Sequence, residues 1–321
     1  MILFFTRSTQ ILLFNRNVPI IRLELQNEFH ILKNKFVNLE KMTQNHHQYW
    51  LAFDMDGTLL TSKKTISHAT KSSLLNLHRK GIPIVIATGR SVNRVMLHAD
   101  DLPPIFYIVS LNGSKILKIQ NKIPELLKEA VIPLHVVSVL VSMTRMKNLL
   151  AGFYRGNELH ICENNKQAKE FFSDLSGMQV VPCNLEKLKQ EQISKVIILR
   201  DSIDDLPIDQ FCNELFGHVK REDCAVFDNQ YAIEVNPHGV GKHKGLEYLS
   251  KIVNRKQEHL IAFGDDGNDE EMLKFAGMSI IPSNANPRVI PAAKKISNWT
   301  NDEDFIAKEL SMLLKVYHNT E

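Results

Sequence analysis

Cysteine is scarce in this chain: Cys162, Cys183, Cys212 and Cys224 serve 321 residues, with no Cys-x-x-Cys pair and no His at zinc-ligand spacing. A structural zinc site is thereby excluded, and the four read as buried thiols in a reducing compartment. Net charge is also small. Lys and Arg number 39 against 36 Asp and Glu, leaving +3, and the basic residues are scattered. Such a balance argues against a nucleic-acid partner, which needs a basic patch or stripe. No apolar run reaches the ~20 residues of a membrane span. The longest, "VIPLHVVSVLVSM" from Val131 to Met143, contains Pro133 and His135 and reads as a buried helix. Internal repeats and low-complexity tracts are missing as well. Two glycosylation sequons, at Asn112 and Asn298, stand without any other sign of secretion. The composition that remains, 44% hydrophobic and 23% charged, is that of an ordinary globular protein. Its length suggests about two domains, and nothing in it fixes an oligomeric state.

The first residues differ from the rest. Arg7, Arg16 and Arg22 precede the first acid, Glu24, an Arg-rich and acid-poor pattern that fits a mitochondrial or plastid transit peptide if residues 1–41 are translated. Met42 fits equally as the start, and the expected location is then cytoplasmic. On either reading residues 1–46 are an N-terminal extension outside the catalytic fold. His46 and His47 read as solvated linker, because no acid or Cys stands beside them.

From Trp50 the pattern alternates. "WLAF" is a short apolar strand, "ISHATKSSLLNLHRKG" has helical spacing with Gly81 as its stop, and "IPIVIA" is a second buried strand that runs into "TGR". "IFYIVSLNG" repeats that form, and so do "HLIAFGDDGND" and "GMSIIPSNA" in the last third. The spacing predicts an α/β fold, a doubly wound parallel sheet whose ligands sit at the carboxyl ends of its strands. The middle reads otherwise. A helix is expected over 133–149, a hairpin at "LAGFYRG" and "ELHICE", a helix at "NKQAKEFFSDL", a strand "ISKVIIL", a helix near "IDQFCNELFG", and paired strands "CAVFDN" and "YAIEVN". These predict an inserted α+β cap over 126–230, with the core formed by 47–125 and 231–321.

The strand ends carry the chemistry. They bear Asp54 and Asp56; Thr88 and Gly89; Asn112 and Gly113; and Asp265, Asn268 and Asp269, to which "GVGKHKG" adds Lys242. Carboxylates gathered at strand tips repel one another unless a cation sits among them, and an oxygen-ligated hard cation, most naturally Mg2+, meets that need. Small hydroxyls and backbone amides, as at "TGR", suit phosphate oxygens. Phosphate-monoester hydrolysis needs up to ~10^21-fold acceleration, of which general acid–base help supplies only ~10^2 to 10^4. Covalent catalysis by an Asp, together with neutralisation by a metal and a Lys, could supply much of the rest. One acid of the 54/56 pair would attack, and the other would protonate the leaving oxygen.

These motifs resemble a known family. "DMDGT", "ATGR", "GVGKHKGLEYL" and "GDDGNDEEML" are similar, in order, to the four motifs of haloacid dehalogenase-like hydrolases. "LNGSKI", the insertion, and "SNANPRVIPAA" followed by "TNDED" look like the Cof-type branch with its type C2 cap. The resemblance runs from about Trp50 to the C-terminus, with departures at His243, Ser283 and Phe305. It implies Asp54 as the nucleophile of an aspartyl-phosphate and Asp56 as general acid, then base. Thr88, Gly89, Lys242 and Asn268 would hold phosphate, while Asp54, the backbone carbonyl of Asp56, Asp265 and Asp269 would hold Mg2+. Arg90, Asn112 and Gly113 would line the substrate side. The expected enzyme is a Mg2+-dependent phosphatase of a small phosphorylated metabolite, such as a sugar phosphate. A phosphomannomutase-like mutase using the same site is the second expectation, and a catalytically silent binding or regulatory protein the third. Lys195 competes for the place of the third-motif lysine but sits inside the inserted unit, where a structural or substrate-facing role is expected. Arg155, Glu158 and His160 on the hairpin are further candidates for the substrate side, and Asn284 either orders its loop or touches phosphate.

Overall fold

The structure, a computed structural model, describes residues 48–162, 179–200, 205–229 and 232–315. The extension expected over 1–46 and the helix expected at "NKQAKEFFSDL" lie outside the described residues.

Strand β1 (Trp50–Phe53) is four apolar residues, all buried. It ends at Asp54, and a turn in which Gly57 takes φ +74° leads toward helix α1 (His68–Arg79). The Ser67 side chain accepts from the Thr70 backbone N–H and caps α1, while Gly81 at φ +70° lets the chain leave it. β2 (Ile84–Ala87) and β3 (Ile105–Ser110) extend the sheet in parallel. β4 (Lys115–Gln120) and β5 (Ile123–Glu129) then add antiparallel.

The inserted unit follows. Helix α2 (Leu134–Lys147) buries Val136, Val137, Leu140 and Val141, the 3–4 spacing of one helical face. Strands β6 (Ala151–Arg155), β7 (Glu158–Cys162), β8 (Gln179–Pro182) and β9 (Lys195–Leu199), helix α3 (Ile208–Leu215), and strands β10 (Cys224–Asn229) and β11 (Ala232–Pro237) complete it. Its six-stranded sheet has the order β10-β11-β9-β6-β7-β8 and is antiparallel except between β7 and β8. Phe153, Val196, Ile198, Phe211 and Leu215 share one cluster with α2. Helix α4 (Lys242–Ile252), β12 (Leu260–Phe263), α5 (Glu270–Phe275), β13 (Met278–Ile281), β14 (Lys295–Ile296) and α6 (Phe305–Lys315) return to the first unit.

The main sheet has the order β14-β13-β12-β1-β2-β3-β4-β5. β1 lies at the switch point, with the next strand in sequence on one side and β12 on the other, and there an open α/β sheet offers its ligand crevice. The pleat distributes the core. Trp50 and Ala52 join Leu246 and Leu249 of α4 and Met272 of α5 on one face. On the other, Phe53 stacks on Phe263 at 4.9 Å, and Phe305 of α6 meets Phe263 edge-on at 5.8 Å. Phe305, which departs from the motif pattern, is thus a core residue.

Three expectations are corrected. The 125/126 boundary cuts β5, which stays in the main sheet through Glu129 because its pairing with β4 continues that far. The 230/231 boundary falls before β11, which pairs with β9 and β10 in the smaller sheet through Pro237. Not all four cysteines are free thiols: Cys162 and Cys183 form a disulfide with Cα atoms 4.9 Å apart, because β7 and β8 run side by side. Cys212 and Cys224 remain free. Among the described residues no helix is long and apolar enough to cross a membrane.

Candidate active site

Register brings the acids together. Phe53 pairs with Phe263 across β1 and β12, and the Asp54 N–H donates to the Phe263 carbonyl at 2.9 Å, so Asp54 and Asp265 leave the sheet at one level. Lys242, the first residue of α4, reaches into the same place and donates to Asp54 Oδ1 at 2.5 Å and to Asp269 Oδ1 at 2.7 Å. Its side chain is 1% exposed. Carboxylate oxygens of Asp54, Asp265 and Asp269 all lie within 4.8 Å of one another.

Two glycines allow this closeness. A Cβ on Gly57 would stand 2.2 Å from Asp265 Oδ2, and its φ of +74° already disfavours a side chain. A Cβ on Gly113, at φ +103°, would stand 2.5 Å from the Gly241 carbonyl oxygen, just ahead of Lys242.

Burial raises the Asp54 pKa well above the usual carboxylate range; Lys242 opposes this, while Asp269 and Asp265 add to it. Burial likewise pushes Asp265 up to about 7, against the hydrogen bond from Thr58 Oγ1 to its Oδ1 at 2.6 Å. Burial disfavours the Lys242 ammonium, but the charges of Asp269 and Asp54 outweigh it and raise the pKa above the ordinary lysine value. The set is all oxygen, crowded and short of positive charge. That donor set fits a hard divalent cation such as Mg2+. Asp269 is already engaged, since its Oδ2 accepts from the backbone N–H groups of Asp265 and Asp266 at 3.0 and 3.2 Å.

Asp56 stands apart from that cluster. Arg90 forks it, Nε to Oδ2 and Nη2 to Oδ1, each at 2.6 Å, and Lys64 Nζ donates to Oδ1 at 2.7 Å. Burial would raise its pKa, but these hydrogen bonds and charges win and hold the carboxyl well below the usual range. Arg90, expected on the substrate side, is therefore turned onto Asp56.

Thr88 is buried, and its Oγ1 accepts from the Arg90 N–H at 3.2 Å. A Cβ on Gly89 would lie 3.2 Å from Asn112 Oδ1, so the Thr88–Gly89 turn and Asn112 are neighbours. Leu111, Asn112 and Gly113 take φ +50°, +54° and +103° in succession. Two non-glycine residues in the left-handed region mark a backbone held by its surroundings. The Asn112 N–H donates to the Thr88 carbonyl at 3.0 Å and the Leu111 N–H to the Arg90 carbonyl at 3.1 Å. The Leu111 side chain packs among Tyr154, Leu159, Ile197 and Ala232 of the inserted unit. Asn268 Nδ2 donates to Asn112 Oδ1 at 3.2 Å, which joins the "LNG" and "GND" turns.

The other candidates lie elsewhere. Lys195 is buried and pairs with Glu234 at 2.8 Å, whereas Lys242 is the lysine that bonds the acids of the cluster. Arg155 donates to Glu191 at 2.7 Å and to Glu158 at 3.1 Å, and His160 Nε2 lies 3.0 Å from Glu158. Among the described residues these hairpin groups bond one another, not the acid cluster. Asn284 donates to Asn301 Oδ1 at 2.9 Å, which orders its loop. Sequence reasoning missed Lys64 as a partner of Asp56 and Glu234 as a neighbour of Asn112. Lys64 lies only a short turn beyond Asp56, a signal that was available; Glu234 needed the register of β11.

A family model described as haloacid dehalogenase-like hydrolase matches residues 51–310. The 5-amino-6-(5-phospho-D-ribitylamino)uracil phosphatase YitU of Bacillus subtilis is 29% identical over 273 residues, covering 82% of this chain and 96% of that protein. The HMP-PP phosphatase of Cronobacter sakazakii is 27% identical over 241 residues, 74% of this chain and 85% of that one. A crystal structure of a haloacid dehalogenase-like hydrolase from Bacteroides thetaiotaomicron superposes with a TM-score of 0.72 at 30% identity, covering 83% of this chain and 99% of that one.

Proposed function

The chain belongs to the haloacid dehalogenase-like hydrolases, and from that premise we propose that it is a Mg2+-dependent phosphatase of a small phosphorylated metabolite, a sugar phosphate or similar phosphomonoester. The observation that carries the reading is the buried Lys242 ammonium between Asp54 and Asp269, with Asp265 beside them. Relatives named as phosphatases of a phosphorylated ribitylamino-uracil and of HMP-PP support the substrate class.

The residues divide the work. A carboxylate oxygen of Asp54 attacks phosphorus, the bond from phosphorus to the leaving oxygen breaks, and an aspartyl-phosphate forms. Asp56 gives its proton to the leaving oxygen. Water then attacks the phosphorus, Asp56 takes a proton from it, and inorganic phosphate leaves with Asp54 restored. The Arg90 fork and Lys64 favour the ionised Asp56 carboxylate, the form the second half requires. For the first half Arg90 must loosen its hold. Lys242 shields the charge of Asp54 from that of the phosphate, and the Thr88 hydroxyl and the Asn268 amide, near the Gly89 turn, supply hydrogen bonds to phosphoryl oxygens. Asp54, Asp265 and the backbone carbonyl of Asp56 would hold the metal, with Asp269 fixing Lys242 and the Asp265 backbone from behind. Bound there, Mg2+ would neutralise charge on the phosphoryl oxygens.

The test is turnover of a phosphomonoester panel, scored by release of inorganic phosphate, with Mg2+ and with chelator. Asp54→Asn, nearly isosteric, should lower kcat by on the order of 10^4-fold or more while melting remains cooperative. Undiminished phosphate release by that variant rules out the aspartyl-phosphate route. Return of phosphate to the substrate instead of to water would favour a mutase.

A further inference from the structure

A chain of polar contacts leaves the acid cluster and ends inside the cap. Asn268 Nδ2 donates to Asn112 Oδ1 at 3.2 Å, and Asn112 Nδ2 donates to Glu234 Oε2 at 3.1 Å. Glu234 Oε1 is 2.8 Å from Lys195 Nζ, whose side chain is 4% exposed. Asn268 and Asn112 belong to strand-tip turns of the core, whereas Glu234 and Lys195 lie on the adjacent cap strands β11 and β9.

The direction of every bond in this chain follows from its far end. A lysine ammonium can only donate, and a carboxylate can only accept. With one Glu234 oxygen taken by Lys195 and the other facing Asn112, the Asn112 amide must turn its NH2 toward the cap. Its oxygen then faces Asn268, which must answer with its own NH2. An isolated amide could sit either way round at similar energy; here the cap decides.

We infer that Glu234, fixed by Lys195, is a positioning residue that sets the amide orientation of Asn112 and, through it, of Asn268, so that N–H and not C=O faces the phosphate. The inference rests on the proposed phosphatase site, in which Asn268 bonds a phosphoryl oxygen. It makes the cap more than a cover, because phosphate affinity in the core depends on one cap carboxylate. Leu111 keeps the two turns in register by packing into the cap beside Tyr154 and Ile197, and the left-handed run through Gly113 leaves Asn112 little backbone freedom.

Glu234→Gln reverses the polarity without changing the size. The oxygen of the new amide must take Lys195, so its NH2 faces Asn112; the Asn112 amide flips, and two NH2 groups then meet at Asn268. An unmatched donor pair of this kind should weaken inhibition by inorganic phosphate roughly ten- to hundredfold and lower kcat/KM alike, with the melting temperature nearly unchanged. Adding Asn112→Asp restores an acceptor toward Asn268 and another toward the amide that the first change places at position 234. The double variant should therefore bind phosphate more tightly than either single variant. Glu234→Gln with unchanged phosphate inhibition, or a double variant no better than the worse single one, overturns the inference. Should Glu234→Gln fail to fold, Asn112→Ala cuts the same link, and unaltered phosphate inhibition there would overturn it equally. Absence of Mg2+-dependent phosphate release by the native chain would instead sink the phosphatase reading, which separates the two failures.

Discussion

The strand tips of the core and the sheet of the cap treat charge in opposite ways. In the cap sheet Lys195 has Glu234, Arg155 has Glu158 and Glu191, and Arg200 has Asp228. At the core tips three carboxylates, Asp54, Asp265 and Asp269, crowd together, and one ammonium, Lys242, pairs with Asp54 and Asp269. Buried charge left uncompensated is expensive, so a fold keeps such a cluster only where something else completes it. Among the described residues each of these cap cations has its own carboxylate. In the proposed reaction the core would be finished by a metal ion and by a phosphate that Lys242 and the metal would hold together.

Taking away the Lys242 ammonium tests that contrast most severely. Lys242→Met keeps the bulk and removes the charge, and it should lower kcat by on the order of 10^2- to 10^3-fold at saturating Mg2+. The same variant should show a larger fractional gain in stability on adding Mg2+ than the native chain, because the charge of its acids is then no longer offset by the Lys242 ammonium. Steady-state kinetics and thermal melting check both. An active variant with unchanged response to Mg2+ would break the comparison.

Metal addition to the native protein comes next in size. At a concentration of 100 times its Kd, a site-bound ion stabilises by about 2.7 kcal/mol. The effect should also depend on pH, with a definite sign. Burial lifts Asp265 from its ordinary 3.8 to about 7 in the folded chain without metal. Between those values the folded state holds a proton that the unfolded state has lost, so this site's contribution to stability falls as pH rises through the window. Bound Mg2+ favours the ionised acid and removes that loss. The Mg2+-induced rise in melting temperature should therefore grow from about pH 5 to about pH 8. A shift independent of pH would place the ion elsewhere.

Much of this was readable from residues alone, and the unread part has a common cause. Four apolar runs ending in Asp, Thr-Gly or Asn-Gly gave away the sheet and the tip residues, because a buried parallel strand and its polar exit are both local patterns. Domain edges were harder. β5 carries exposed residues on both sides, so "IPELLKE" has neither clean alternation nor helical spacing, and only its pairing with β4 reveals it. The fork of Arg90 on Asp56 and the reach of Glu234 to Asn112 join residues 34 and 122 positions apart, distances over which sequence carries no spacing signal. The Cys162–Cys183 disulfide likewise depends on β8 lying beside β7.

Gly57 sharpens the comparison at the level of backbone. The core crowds its acids by admitting no side chain there, since a Cβ would meet Asp265 Oδ2 at 2.2 Å and φ is +74°. Gly57→Ala should destabilise the fold by about 1–3 kcal/mol and push the Asp265 carboxylate outward. Mg2+ affinity should fall with it. Gly156, at φ +55° in the cap hairpin, has nothing within 4 Å of its would-be Cβ and serves as the control. Gly156→Ala bears the backbone strain alone, so it should leave Mg2+ affinity as it was. Equal losses of Mg2+ affinity in the two variants would show that backbone strain, and not contact with Asp265, is what matters at Gly57.

The smallest effect belongs to the cap's exposed pairs. Arg155 reaches Glu191 and Glu158 with its side chain 39% exposed, so water screens both bonds and ordering the side chain offsets part of the gain. Arg155→Ala should change stability by under about 1 kcal/mol, and less in high salt. Its effect on kcat with a minimal phosphate ester should be smaller still, since Arg155 bonds only its own hairpin and Glu191 among the described residues. With a bulkier natural substrate the outcome carries more information. A rise in KM at constant kcat would mean that this hairpin touches the leaving group, which would give the cap a second, specificity-setting role beside the polarity it imposes through Glu234. An unchanged KM would leave Glu234 as the cap's one electrostatic link to the chemistry among the described residues, and would make the contrast between the paired charges of the cap sheet and the crowded acids of the core complete.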